Sequence, residues 1–241
     1  HLLSAGAIDA TNRNVSVTAS NSNGPATTAG TNNATVDTIA PVVTPGNIAL
    51  SGASGVGGAF KAGDTVTAQW NNTAAGDNNT DTISAVSINL SAFNGPVAIP
   101  ATNAAGIWTA THPLQAGVAG NNLNASISAA DNAGNITTTA STANATVDTL
   151  IPTVSSIAVS GSPAPGDASV AFTATFNKPV TNISTDDFTL IGTGTASGTI
   201  SSVSASTGSS VNVNVSGITG TGTIKINLNG STNIADSVGN G

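Results

Sequence analysis

Few residues of this chain have the types and spacing that catalysis needs. Histidine occurs only at positions 1 and 112, and cysteine is absent. His112 precedes a proline in a predicted turn and has no recognisable triad of nucleophile and carboxylate around it. Asp186 and Asp187 are adjacent, but neighbouring residues of a strand point to opposite faces, so we expect two surface carboxylates rather than a shared acid–base site. The sequence therefore predicts that the protein is not an enzyme.

Aspartate and asparagine are the residues that could bind an ion. All eleven acidic residues are Asp, and carboxylate and amide oxygens suit Ca²⁺. The same side chains also cap turns through local backbone hydrogen bonds, and the chain has no Glu for bidentate ligation. We expect no cofactor to be required, and calcium is the one ion that we retain as a hypothesis. The candidate ligands are Asp131, Asn135 and Asp148, with Asp37 and Asp236 at equivalent positions.

The charge pattern argues against two classes of partner. The net charge is -7, and the four basic residues are scattered singly along the chain, whereas nucleic acid is bound by clustered cations. No stretch approaches the roughly 20 consecutive apolar residues that span a bilayer. We therefore expect neither nucleic-acid binding nor membrane insertion. The basic residues are Arg13, Lys61, Lys178 and Lys225.

Two phrases of the sequence repeat. Asn-Ala-Thr-Val-Asp-Thr occurs at residues 33–38 and again, 111 residues later, at 144–149, and each copy is followed by a proline three residues further on. The phrase at residues 130–135 returns at 235–240 and more loosely at 8–14. Repetition at this distance indicates successive modules of about 100 residues.

Between these phrases, apolar and polar residues alternate with period two, which is the pattern of strands with one buried face. Turn residues such as Asn-Gly and Gly-Asp separate the runs, and no helical stripe occurs. We expect an all-β protein made of tandem sandwiches, with Trp70, Trp108, Phe172, Phe176 and Phe188 in the cores. The clearest alternating runs are residues 66–70, 86–90, 123–129, 170–176, 211–215 and 224–228.

Several of these segments resemble the tandem bacterial Ig-like domains of large, repetitive surface adhesins and other extracellular proteins. For residues 40–149 the similar segments are 60–66, 106–110, 131–135 and the two Val-Asp-Thr-x-x-Pro joints. For residues 150–241, which resemble a sister type, they are 176–180, 186–190, 217–223 and 234–236. The resemblance implies Greek-key immunoglobulin-like β-sandwiches in a secreted stalk whose ligands usually bind to other domains.

The repeats predict one partial and two larger modules, at residues 1–39, 40–149 and 150–241. The first corresponds to the last strands of the second, and the third is expected to lack its last strand. Either these residues are a window on a longer chain, or strands of the partial module complete the third module of the next copy by β-strand addition. The candidate residues for such donation are Asn14, Val15, Val17, Thr35 and Val36.

The expected function is therefore structural and extracellular. We expect a stalk or filament subunit of a cell-surface adhesin or fibre, with copies of itself or neighbouring Ig-like modules as partners and a surface target that the sequence does not identify. Head-to-tail strand donation would make such a contact propagate as a filament. The alternative is a secreted module that binds glycans or a protein through its loops.

Overall fold

The computed structural model describes residues 9–241, with side chains from Arg13 onward. This part of the chain forms twenty β-strands and four short 3-10 helices, and it contains no α-helix. The strands of the first half are β1 Asp9–Arg13, β2 Ser16–Asn21, β3 Gly24–Ala29, β4 Ala34–Asp37, β5 Ile48–Ser51, β6 Thr65–Asn71, β7 Ile83–Asn89, β8 Ile99–Pro100, β9 Thr102–Ala104 and β10 Ile107–Pro113. The strands of the second half are β11 Ala119–Leu123, β12 Ser126–Asp131, β13 Ile136–Ala140, β14 Ala145–Asp148, β15 Val154–Ser160, β16 Ser169–Val180, β17 Phe188–Gly192, β18 Ser197–Val203, β19 Gly208–Thr219 and β20 Ile224–Leu228. The 3-10 helices are Pro45–Asn47, Val56–Gly58, Ser91–Phe93 and Thr185–Asp187.

The described strands pair antiparallel in several small sheets, so the expected all-β class is confirmed. The chain folds as two compact units, each assembled from separate stretches of sequence. One contains the described residues up to Ser51 together with Thr67–Thr111 and Asn124–Asn144, and the other contains Gly52–Val66, His112–Leu123 and Ala145–Gly241.

The first unit holds two four-stranded sheets, in the orders β5-β6-β10-β9 and β13-β12-β7-β8. Their inward residues alternate along the strands, as the period-two pattern predicts. Ala68 and Trp70 of β6, and Ile127 and Ala129 of β12, have no exposed surface. This arrangement is consistent with a β-sandwich.

The same unit contains two ribbons near the start of the chain, β1 paired with β4 and β2 paired with β3. Every residue of β2 and β3 is exposed, including Val17 at 66%. Val15, which precedes β2, is 75% exposed. These valines therefore lie on an apolar face that the described residues leave open.

The second unit contains the ribbon β11-β14, the sheet β15-β16-β19-β18 and the ribbon β17-β20. Strands β16 and β19 are twelve residues long and pair with Phe172 opposite Val213 and Ala174 opposite Val211. Their inward side chains pack with those of the shorter strands into one apolar core. The buried members are Phe172, Ala174, Phe176, Val180, Ile183, Phe188, Val211, Val213, Val215, Ile226 and Ile234.

The repeated phrases have the same local structure in both places. Strand β4 pairs with β1 so that Val36 lies opposite Ala10, and β14 pairs with β11 so that Val147 lies opposite Gly120. Both pairs contain a register shift next to that position. The ribbon β2-β3 likewise follows the pairing pattern of β12-β13. Residues 9–37 are therefore structurally equivalent to the four strands from Ala119 to Asp148. The looser sequence match of residues 8–14 with 130–135 was wrong, since Asp9–Arg13 is the counterpart of β11.

Candidate functional site

Networks of polar side chains lie at the two Val-Asp-Thr-x-x-Pro joints. We call residues 37–41 the first joint and residues 148–152 the second joint. We call residues 131–135 the first corner and residues 236–240 the second corner, since each is a turn that begins with Asp and ends with Asn. Each corner contacts one joint.

The first corner is organised by Asp131, whose residue surface is only 1% exposed. One carboxylate oxygen accepts hydrogen bonds from the backbone N–H groups of Ala133 and Asn135, both at 2.9 Å, and the other accepts one from the Asn135 side chain at 2.9 Å. Burial alone would raise the pKa of Asp131, but these hydrogen bonds outweigh it and hold the pKa below its usual value.

Asn135 extends from this corner to the first joint. Its side-chain amide lies 3.4 Å from the carbonyl oxygens of Asp37 and Ile39, and 3.4 Å from the Asp37 carboxylate. These distances are at the long end of hydrogen-bonding range. Asp37 also accepts a hydrogen bond from the Ile39 N–H at 3.0 Å, which turns the chain at the joint.

The second corner repeats this geometry with more donors. Asp236 accepts hydrogen bonds from the backbone N–H groups of Val238, Gly239 and Asn240, and from the Asn240 side chain at 2.8 Å. Burial opposes ionisation, but the side chains of Asn240 and Lys178, together with these backbone groups, lower the pKa of Asp236 to about 2. The carboxylate is therefore charged at neutral pH.

Lys178 joins the second corner to the second joint. Its ammonium lies 2.8 Å from the carboxylate of Asp148 and 2.6 Å from that of Asp236, and it donates to the Leu150 carbonyl at 2.9 Å. Asn240 adds a hydrogen bond of 2.9 Å to the carbonyl of Asp148. Burial alone would lower the pKa of Lys178, but the hydrogen bonds to Asp148 and Asp236 raise it above its usual value.

The loop between β5 and β6 also contacts the second corner. The N–H of Ala62 donates to the side-chain oxygen of Asn240 at 2.7 Å, and the N–H of Val56 donates to the carbonyl of Val238 at 3.1 Å. Lys61 reaches the carbonyl of Gly239 at 3.5 Å. The second corner is thus attached to residues on both sides of the second joint.

The first joint is held differently. Lys178 lies two residues after the buried Phe176 of β16, and Asn72 lies two residues after the buried Trp70 of β6. We therefore compare Asn72 with Lys178. Asn72 accepts hydrogen bonds from Asn79, and Asn79 exchanges two hydrogen bonds with the backbone of Val42, at 2.7 and 2.9 Å. Val42 directly follows the first joint, so amide side chains hold the backbone there, whereas an ammonium holds the second joint.

The structure brings the five calcium candidates together in two groups. Asp131, Asn135 and Asp37 meet at the first joint, and Asp148 and Asp236 meet at the second. The oxygens of Asp131 and Asp236 accept the N–H donors described above. No group of three His, Cys, Asp or Glu side chains suited to a metal occurs among the described residues. Calcium binding at the joints stays an untested hypothesis.

The residues proposed for strand donation occupy the first two ribbons or the link between β1 and β2. Asn14 donates to the carbonyl of Gly30 and to the side chain of Asn33. Thr35 is exposed and Val36 is half-buried in β4, while Val15 and Val17 are largely exposed. Donation to another copy stays a prediction.

The expectation for Asp186 and Asp187 was half wrong. Asp186 is exposed, but Asp187 is only 3% exposed. The two residues lie in a 3-10 helix rather than a strand, and Asp187 accepts a hydrogen bond from the N–H of Ser184 as part of a capping box. His112 was predicted to lie in a turn, but it lies half-buried in strand β10, and its Nε2 has no hydrogen-bond partner within the described residues.

Sequence reasoning missed Lys178, Asn240 and Asn79 as joint residues. Asn240 could have been found, since it ends a phrase that also occurs at Asn135. Lys178 carried one weak signal, namely that it is one of only four basic residues. Nothing in the sequence marked Asn79.

Comparisons with known proteins give no guide to the function of this chain. No protein-family model, no curated protein and no solved structure matches the chain. Among the described residues there is no helix with the length and hydrophobicity to span a membrane.

Proposed function

We propose that this chain is a non-catalytic structural protein of the cell exterior, a stalk or filament subunit of a surface adhesin or fibre. In this proposal the sandwiches are Ig-like modules with Greek-key topology, at residues 40–149 and 150–241, and residues 1–39 are part of a further module. Copies of the chain or neighbouring Ig-like modules are its partners, and β-strand donation is the means by which copies extend the stalk.

The single observation that carries this proposal is the clamp at the second joint. A stalk transmits force only if its linkers resist bending and extension, and Lys178 ties Asp148 of the joint to Asp236 of the corner while Asn240 holds the joint backbone. A module linker that served only as a tether would need none of these contacts. The proline of each joint adds stiffness by restricting the backbone.

The alternative, a module that binds glycans or a protein, has less support. Recognition surfaces for such ligands are enriched in aromatic side chains. Both Trp and all five Phe residues are buried here, the most exposed being Trp108 at 8%. The aromatic side chains therefore contribute to the cores and offer no stacking platform.

Force spectroscopy of the full chain, held by its two ends, tests the proposal. We expect discrete unfolding events, and we expect Lys178→Met to lower the force of one event while Lys225→Met, at an exposed position of β20, changes none. Extension without resisted unfolding events would contradict a role in transmitting force. Antibody labelling of intact source cells tests the location, and labelling that requires permeabilised cells would contradict an exterior protein.

A further inference from the structure

An open cleft lies beside the loop that joins β15 to β16. It has a volume of about 480 Å³ and combines polar loop atoms with apolar side chains from the adjoining strands. Phe172 at its base is 4% exposed, whereas Val159 at its side is 48% exposed. The lining includes Val159, Pro163, Val170, Phe172, Ile218 and Ile224.

The turn that ends the loop at this cleft has the same hydrogen-bond pattern as the turn that ends the loop between β5 and β6. In the loop between β5 and β6, the Asp64 carboxylate accepts a hydrogen bond from the N–H of Lys61 at 2.9 Å, and the Asp64 N–H donates to the Lys61 carbonyl. In the loop between β15 and β16, the Asp167 carboxylate accepts a hydrogen bond from the N–H of Ala164 at 2.7 Å, and the Asp167 N–H donates to the Ala164 carbonyl. The residue before Asp is in both cases a glycine with positive φ. Pro163 is therefore the counterpart of Phe60.

At Phe60 the corresponding space is filled by a strand. Val147 of β14 forms a parallel bridge with Phe60. The Phe60 N–H donates to the Thr146 carbonyl, and the Asp148 N–H donates to the Phe60 carbonyl, both at 2.9 Å. Val147 is consequently only 1% exposed.

We propose that the cleft beside Pro163 is the acceptor site for strand β4 of a second copy of the chain. In this contact β4 of one copy lies against Pro163 of the other, as β14 lies against Phe60 within one chain. Residues 33–38 and 144–149 are identical in sequence. Strand β4 also pairs with β1 in the register that β14 adopts with β11, and Val36 is half-buried where Val147 is fully buried. This inference rests on the proposed function, since it specifies how copies of the stalk would join.

We expect the contact between β4 and Pro163 of two copies to be weaker than the contact between β14 and Phe60 within one chain, because prolines replace two hydrogen-bond donors. Pro163 stands where Phe60 donates its N–H to the Thr146 carbonyl of β14, and proline has no N–H. Pro165 likewise stands where Ala62 donates its N–H to the Asn240 side chain of the second corner. The Pro163 carbonyl can still accept from the Asp37 N–H, and the apolar walls of the cleft can cover Val36. We therefore expect reversible, concentration-dependent association. Because donor and acceptor are different surfaces, the contact propagates head to tail.

Disulfide trapping tests the register, since the native chain has no cysteine. Under mild oxidation the double variant Val36→Cys, Pro163→Cys is expected to give a reducible ladder of dimers, trimers and larger species. Each single variant can form at most a dimer, and an equal mixture of the two single variants should give mainly the mixed dimer. In the control Thr35→Cys, Pro163→Cys the thiol at position 35 points to the opposite face of β4. A ladder as strong from this control, or none from the first variant, would overturn the proposal.

Sedimentation velocity without introduced cysteines gives a second measurement. We expect the wild-type chain to associate as its concentration rises, and we expect the Val36→Asp variant to remain monomeric. The Val17→Asp variant, which alters the exposed face of β2, should associate like the wild type. A wild-type chain that stays monomeric, or association that Val17→Asp abolishes and Val36→Asp does not, refutes the assignment. The force experiment on single chains does not depend on association, so it can support the structural role even where this site fails.

Discussion

At the scale of single residues, the second joint depends on a buried charge. The Asp236 side chain is only 1% exposed, yet it is ionised because N–H donors from the corner and the Lys178 ammonium surround it. Without its partners such a carboxylate would be costly to bury. The corner, Lys178 and the joint therefore form one cooperative structure.

Replacing Lys178 by Met should destabilise the protein. The substitution keeps an apolar stem but leaves Asp148 and Asp236 close together without a counter-charge. Since Asp148 and Lys178 are 24% and 18% exposed in their side chains, water screens part of this cost, and we expect a loss of about 2 kcal/mol. Urea unfolding of the full chain measures it. The exposed Lys225→Met is the control, and an equal effect of the two substitutions would argue against the clamp.

The lowered pKa of Asp236 predicts acid sensitivity. Its pKa is 3.8 when unperturbed and about 2 in the folded protein. A depressed pKa contributes stability that is complete above the unfolded value and disappears as the pH falls through the folded value, so the loss should occur between about pH 4 and pH 2. The contribution is about 2 kcal/mol. We expect unfolding free energies to fall over this range, and to fall less steeply in Asp236→Asn.

The exposed Asp186→Asn variant is the control for the removal of one surface carboxylate. Asp131 has a lowered pKa as well and adds to the acid sensitivity of the whole chain, so the comparison between variants is the informative quantity. Parallel curves for the wild type and Asp236→Asn would show that the Asp236 carboxylate does not contribute in this way.

At the scale of elements, the turn between β19 and β20 is held by close backbone contacts. The segment 219–224 lies against residues 193–195, with hydrogen bonds from the Thr193 N–H to the Thr223 carbonyl and from the Thr195 N–H to the Thr221 carbonyl. Gly220 has φ +82°, and a Cβ there would lie 2.0 Å from the Thr195 carbonyl oxygen. Gly220 is therefore required both by packing and by backbone conformation.

Gly220→Ala should consequently cost stability by about 2 kcal/mol or more, because strain and a backbone clash add. Gly230→Ala is the matched control, since nothing lies within 4 Å of its Cβ position and its φ is not in the left-handed region. We expect the control to change the free energy of unfolding by about 0.5 kcal/mol at most. Thermal or urea unfolding of the two variants distinguishes these outcomes, and a harmless Gly220→Ala would show that the turn can open.

At the scale of the whole molecule, hydrogen bonds within the chain already occupy the buried carboxylates that sequence reasoning offered to calcium. An ion bound only to the folded state would raise the melting temperature according to its concentration and affinity. Since Asp131 and Asp236 accept N–H groups, we expect the melting temperature to be the same with a chelator and with added Ca²⁺. A clear rise with Ca²⁺ that the chelator reverses would assign an ion to one of the joints.

Local pattern and composition were sufficient for several features of this protein. The period-two runs predicted buried alternate residues in β6, β12 and β16, and the five aromatic residues expected in the cores are all buried. This succeeds because a strand with one buried face imposes its pattern on neighbouring residues. The repeated phrases also predicted that β4 and β14 would be equivalent strands, and the two strands have corresponding partners, β1 and β11.

The tertiary structure alone decided what holds the joints. Lys178 and Asp236 are 58 residues apart, and Asn240 and Asp148 are 92 apart, so no local rule relates them. From the sequence, Asp131 and Asp236 were candidates both for turn caps and for ion ligands. Only the folded structure shows which N–H groups donate to their carboxylates. A carboxylate can be buried as a charge only where the fold brings distant hydrogen-bond donors to it. Composition and spacing therefore marked Asp131 and Asp236 as candidates, but they could not predict that the two carboxylates hold the corners together.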